Sequence, residues 1–245
     1  MSAAFRIDGK RALVTGANTG IGRAIAEGLA AAGAHVIAAG RRSCAETVAA
    51  IVAAGGTAEE MALDVAEPGA AAALPGDLDI LVNNAGIIRR EDAVAHAESD
   101  WDDVLNVNLK SVFLLSQAFA KAAMARGAGG RIVNIASLLS FQGGVRVPGY
   151  TASKHGVAGL TKALANEWAP AGINVNAVAP GYIATNNTEA LRADPKRSAE
   201  ILGRIPAGRW GDPADIAGAV TFLCTPASGY VTGAVLNVDG GWLAR

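Results

Sequence analysis

Short apolar runs separated by longer Ala-rich segments organise this chain. Runs at 12–15, 35–39, 57–63, 80–83, 131–135, 174–178 and 235–238 read as seven strands. Most are apolar throughout, the pattern of parallel strands covered by helices on both faces. Helices are predicted over 22–32, 43–54, 99–126, 150–168 and 213–223, with Ser, Asp or Gly at several boundaries. The expectation is an α/β fold, a doubly wound seven-stranded parallel sheet flanked by helices. One crossover is short: 65–79 contains Pro68, Gly69, Pro75 and Gly76. It leaves space for a helical turn or two, near the lower limit of roughly a dozen residues for a parallel crossover.

Composition narrows the class. The 245 residues, 51% hydrophobic and 18% charged, suit a single domain spanning 1–245 with one large core. A net charge of −1 offers no basic field, so a small molecule is the expected partner and neither nucleic acid nor membrane. Cys44 and Cys224 are far apart and outside metal-ligand spacing, so neither a disulfide framework nor a metal site is expected. Arg6, Asp8 and Lys10 interrupt the first residues, and no apolar run reaches the ~18 residues that span a bilayer. A soluble protein of the reducing cytoplasm fits these facts.

Two clusters carry chemistry. The first predicted strand runs into Thr15-Gly16-Ala17-Asn18-Thr19-Gly20-Ile21-Gly22 and then directly into a helix. Gly16 permits a tight turn, Gly20 lets backbone amides approach a pyrophosphate, and Gly22 allows close packing of a helix whose N-terminus favours the anion. Asp64 and Asn83-Asn84-Ala85-Gly86 close later strands, and together these features point to a dinucleotide site. At the end of the second strand, the position expected to hold an acid for a ribose 2′-hydroxyl is Gly40, and Arg41 follows. A guanidinium there pairs with a 2′-phosphate, which favours NADP. NAD stays open, because Arg41 or Arg42 in water or stacked on adenine gives the same sequence.

The second cluster, Tyr150-Thr151-Ala152-Ser153-Lys154, places a phenol and an ammonium on one helix face. A phenol of pKa near ~10 needs a neighbouring positive charge to work at neutral pH, and Lys154 supplies one. Alone, such a pair is more often a surface tyrosine and a solvated lysine. Ser137 at the carboxyl end of the fifth strand, and Asn108 within a predicted helix, change that balance.

The glycine turn, Asn83-Asn84-Ala85-Gly86, Asn108, Ser137, Tyr150 with Lys154, and Pro180-Gly181 follow one another in the order of a known pattern. Over essentially its whole length the chain resembles the short-chain dehydrogenase/reductase family. That resemblance implies a Rossmann fold and NAD(P)-dependent hydride transfer, with Asn108, Ser137, Tyr150 and Lys154 catalytic. Ser137 would polarise the substrate carbonyl and Tyr150 exchange its proton. Lys154 would hold the nicotinamide ribose and lower the tyrosine pKa, and Asn108 would position a relay water. Cofactor contacts are implied for Gly16, Asn18, Thr19, Gly20, Ile21, Gly22, Arg41, Asp64, Val65, Asn84, Ala85, Gly86, Tyr150, Lys154, Pro180, Gly181, Ile183 and Thr185.

Stretches 88–93, 140–148, 181–188 and 205–211 look like those of the 2-dehydro-3-deoxy-D-gluconate 5-dehydrogenases, a subgroup close to the gluconate 5-dehydrogenases. Such a sugar acid needs a cation for its carboxylate and polar side chains for its hydroxyls. Arg90, Gln142, Arg146, Asn186 and Asn187 are the candidates, with Arg146 preferred as carboxylate clamp because it lies between Ser137 and Tyr150. A lid is expected over about 186–210, helical, broken at Pro195, with Trp210 anchoring its end or serving as core. A reductase of 3-oxoacyl or other small carbonyls is the competing enzyme reading, and a non-catalytic NADP(H) sensor the competing reading of another class. The resemblance also implies a homotetramer joined through the 99–126 and 150–168 helices.

Overall fold

The computed structural model describes residues 2–245. β1 (Arg11–Thr15) leads into α1 (Gly20–Ala31), followed by β2 (His35–Gly40), α2 (Ala45–Ala53), β3 (Thr57–Ala62) and β4 (Ile80–Asn83). Then come α3 (Glu98–Leu105), a π-helical turn (Asn106–Lys110), α4 (Ser111–Ala125), β5 (Gly130–Ile135), α5 (Pro148–Trp168) and β6 (Ile173–Pro180). The chain finishes with α6 (Glu189–Ala193), α7 (Pro195–Leu202), α8 (Pro213–Cys224) and β7 (Val235–Val238).

All seven expected strands form one parallel sheet in the order β3-β2-β1-β4-β5-β6-β7. Successive residues of a strand point to opposite faces, so each apolar run supplies two cores. Val14, Val36, Val82 and Val133 pack on one face against Ile25, Leu29, Ile216 and Val220 of α1 and α8. Leu13, Ile37, Leu81 and Ile132 pack on the other against Leu115, Phe119, Leu164 and Trp168 of α4 and α5. β3 departs from the apolar pattern because it is an edge. Its Glu59 pairs with Arg11 at 2.9 Å and its Glu60 accepts the Cys44 N–H at 2.8 Å, charges of the kind that blunt an exposed edge.

Two expectations change in detail. The helix expected over 99–126 is broken by the π turn, for which the site supplies the reason below. The short crossover contains one 3-10 turn, Ala70–Ala73. Arg126 holds its far end by donating to the carbonyls of Gly76 and Leu78, the latter at 2.7 Å. Order reverses between β1 and β4, and at such a switch point the loops beyond the strand ends part to form a crevice.

Candidate active site

That crevice is a cleft of about 310 Å³, floored by the turn between β1 and α1. The Thr15 hydroxyl accepts the backbone N–H groups of Asn84 and Ala85, both at 3.0 Å. The Asn84 amide returns two bonds, to the Thr15 carbonyl at 2.9 Å and the Gly16 carbonyl at 3.2 Å. Gly16 sits at φ +66°, in the left-handed region. A Cβ on Gly22 would overlap the Gly16 carbonyl and the Asn84 side chain. The turn therefore closes tightly and leaves the N-terminus of α1 open to the cleft, the arrangement that receives a pyrophosphate. Along the same cleft lie Asn18, Thr19, Gly20, Ile21, Arg41, Asp64, Val65, Ala85, Gly86 and Thr185, so the residues present fit a dinucleotide.

The catalytic candidates meet at one end. Pro148 opens α5, a position where its missing N–H costs nothing, and the first turns of that helix carry Tyr150 and Lys154 into the cleft lining. Lys154 is buried, with Nζ 2.6 Å from the Ile135 carbonyl and 5.5 Å from the Tyr150 ring centroid. Burial pushes its pKa down to about 8. Burial also raises the Tyr150 phenol above its ordinary value, while a hydrogen bond with Ser137 and the charge of Arg90 pull it back. Within this chain desolvation outweighs both. Ser137 stands at the extended N-cap of the turn Leu138–Ser140, where its hydroxyl accepts the Leu139 N–H at 3.2 Å.

Asn108 explains the broken helix. Its side-chain oxygen accepts the Ile87 N–H at 2.8 Å and its amide donates to the Ile87 carbonyl at 2.9 Å, with Ser153 Oγ at 3.3 Å. In the same turn Asn106 donates to the Ala66 carbonyl at 3.2 Å. One widened turn thus clamps the loops after β3 and β4, and Val107 between the two asparagines lines the cleft. Such single-turn π insertions occur mostly where a helix serves a site.

A family model described as enoyl-(acyl carrier protein) reductase matches residues 16–243. The 2-dehydro-3-deoxy-D-gluconate 5-dehydrogenase of Escherichia coli (strain K12) is 55% identical over 99% of both chains. The chain belongs to the short-chain dehydrogenase/reductase family. Among solved structures, an Agrobacterium tumefaciens protein provisionally named as a 2-deoxy-D-gluconate 3-dehydrogenase, with bound NADP, is 63% identical at a TM-score of 0.98, covering 100% of both chains. A gluconate 5-dehydrogenase from Burkholderia cenocepacia in complex with NADP and tartrate is 40% identical at a TM-score of 0.93, covering 99% of this chain and 98% of that one.

For a member of this family, the remaining predicted residues divide sharply. Asn186 and Asn187 line the cleft beside Thr185. Pro180, Gly181 and Ile183 are not part of its lining: Pro180 ends β6, Gly181 packs on Asp239, and Ile183 is buried and bridges Gly211. Arg146 is corrected as the free cation. Its guanidinium pairs with Asp92 at 3.0 Å and Glu91 at 3.6 Å, and its carbonyl accepts the Glu91 N–H. Arg90 is exposed and pairs with no carboxylate among the described residues. Gln142 accepts the Trp242 indole N–H at 3.0 Å, and Trp210 packs edge-on to Tyr182 at 5.7 Å. Ile87, Ile88, Val107 and Ile135 line the cleft and escaped the motif reading; they come from the loop after β4, the π turn and the end of β5, and an apolar residue at such places is no distinctive signal. Among the described residues no group of His, Cys, Asp or Glu is placed to hold a metal ion, and no helix is long and apolar enough to cross a membrane.

Proposed function

We propose that this protein is an NADP-dependent dehydrogenase that interconverts a secondary hydroxyl and a ketone at carbon 5 of a six-carbon sugar acid, 2-dehydro-3-deoxy-D-gluconate or gluconate. The observation that carries the reading is Tyr150 and Lys154 in the lining of a dinucleotide cleft, with Ser137 beside the phenol. NADP in that cleft supplies the hydride acceptor. Ser137 donates to the oxygen that gains alkoxide character, Tyr150 takes or returns its proton, and Lys154 keeps a positive charge below the phenol at pH values under about 8. The Asn108 amide is committed to Ile87 and Ser153, so its side chain serves the site by fixing the loop after β4.

The names of the relatives support a sugar acid, and the tartrate of the Burkholderia complex is itself a hydroxy acid. Arg90 takes the role of carboxylate cation, because Arg146 is neutralised by Glu91 and Asp92. Asn186 and Asn187 supply hydrogen bonds for the hydroxyls at the mouth, and α6 and α7 close over it as a lid. The protein works in the cytoplasm as a homotetramer.

The test is absorbance at 340 nm with NADP⁺ and NAD⁺ separately against 2-dehydro-3-deoxygluconate, gluconate and uronate derivatives, and with NADPH against 3-oxoacyl thioesters, with Tyr150→Phe beside the parent. Expected is NADP⁺-preferring oxidation of a sugar acid, reduced at least ~10²-fold in the variant, which still binds cofactor. Turnover of 3-oxoacyl thioesters alone would overturn the substrate, and cofactor binding without any turnover would overturn the enzyme.

A further inference from the structure

Beside the reacting groups, the C-terminal tail closes an aromatic hub. Trp242 is buried and engages three partners at once: the Tyr182 ring lies tilted 4.8 Å away, the Arg204 guanidinium covers its ring at 4.0 Å, and Gln142 accepts its N–H. Leu138, Ile201 and Ile205 complete the cluster. The hub joins the turn that carries Ser137, the loop after β6, the root of the lid and the tail. Gly240 and Gly241 make the approach possible. Both are left-handed, and a Cβ on either would meet Ile205 at 2.9 Å or Pro206 at 3.1 Å.

The contact with Gln142 has a chemical polarity. An indole nitrogen can only donate, so the Gln142 carbonyl must face it, and the amide can no longer turn end for end. The Gln142 NH₂, which has no partner among the described residues, is left as a group that only donates. Its backbone is held on the Ser137 turn, with the Gln142 N–H bonded to the Leu138 carbonyl at 3.2 Å. A donor fixed there selects an acceptor oxygen and rejects a hydroxyl hydrogen.

We propose that Trp242 is a positioning residue for substrate specificity: it locks the Gln142 amide so that its NH₂ receives the carboxylate of the substrate, alongside Arg90. This rests on the sugar-acid reading above. It assigns the C-terminal tail a part in recognition, exerted through Gln142 and not by contact with the reacting carbon.

The test is steady-state kinetics of the full-length parent, Trp242→Phe, Gln142→Leu, the double variant and Gln142→Glu, with NADP⁺ and 2-dehydro-3-deoxygluconate. Trp242→Phe keeps an aromatic ring in the hub and loses the donor together with the pyrrole part of the indole, and Gln142→Leu removes the same contact from its other side without touching the hub. Each single apolar variant is expected to raise KM about tenfold while kcat stays within about twofold, the loss of one hydrogen bond to a charged group in binding only. The double variant is expected to match the single ones, because Trp242 acts through Gln142. Gln142→Glu preserves an acceptor for the indole and places a negative charge against the carboxylate, so its KM rises further than that of Gln142→Leu. NADP affinity and melting temperature, measured on each variant, register a general loss of structure. An additive double variant, or a Gln142→Glu enzyme with the parent's KM, overturns the proposal while leaving the function intact. A parent that oxidises no sugar acid overturns both.

Discussion

The Arg41 guanidinium is 75% exposed and rests 3.8 Å from Asp64, free to swing onto a 2′-phosphate at the cleft wall. Arg41→Ala is expected to weaken NADP binding about tenfold and leave NAD within about twofold, read by fluorescence titration. The neighbouring Gly40 shows why no acid stands there: a Cβ would come within 2.9 Å of the Arg42 carbonyl and 3.0 Å of Cys44 Sγ. The absence of the acid was visible in the sequence, but its steric reason was not. Lys154 gives a second residue-scale prediction. Its folded pKa of about 8 lies below the ordinary 10.5, so below pH 8 the fold bears the full cost of a buried charge, about 3 kcal/mol. Between pH 8 and 10.5 only the unfolded chain holds the proton, and the cost fades as pH rises. The melting-temperature advantage of Lys154→Met over the parent is therefore expected to shrink across that window; a constant difference from pH 7 to 10.5 would refute it.

At the scale of elements, the π turn links chemistry to architecture. Asn106 and Asn108 reach outward to the backbone of two different loops, and a regular helix would not bring both into register with Ala66 and Ile87. Asn108→Leu leaves the Ile87 N–H and carbonyl without partners and is expected to cost about 2 kcal/mol or more in urea unfolding, with weaker NADP binding from the released loop. Unchanged stability would show that the clamp contributes nothing. Asn108 was singled out in the sequence by its place in the family pattern. The break it sits in was not, because Ser111 onward continues the helical composition without a Gly or Pro. The distortion comes from a partner beyond the end of β4. The segment expected as a lid was legible for the opposite reason: the break expected at Pro195 falls between α6 and α7, and the Asp194 carboxylate there caps α7 through the Lys196 and Arg197 N–H groups.

Across the whole molecule, the sheet consumes most apolar surface but leaves Trp101, Phe113 and Leu114 more than a third exposed. Phe113 borders a groove with Leu105, Leu109 and Leu160, which joins the faces of the helices expected to associate. Phe113→Glu is expected to shift the protein from tetramer toward smaller species in light scattering, and a wild-type monomer would refute the assembly. The seven strands, their two-sided cover and the cofactor turn were determined by sequence alone, because continuous apolar runs and glycine geometry are local demands that each segment states for itself. So were Tyr150, Lys154 and Ser137, whose spacing is set by one helix and one strand end. Which arginine stays free, which way the Gln142 amide faces and whether Lys154 keeps an ordinary pKa were decided only by tertiary structure. Charge pairing, hydrogen-bond polarity and desolvation depend on groups distant in the chain, and Glu91, Trp242 and Ile135 act on these residues only after the fold has brought them together.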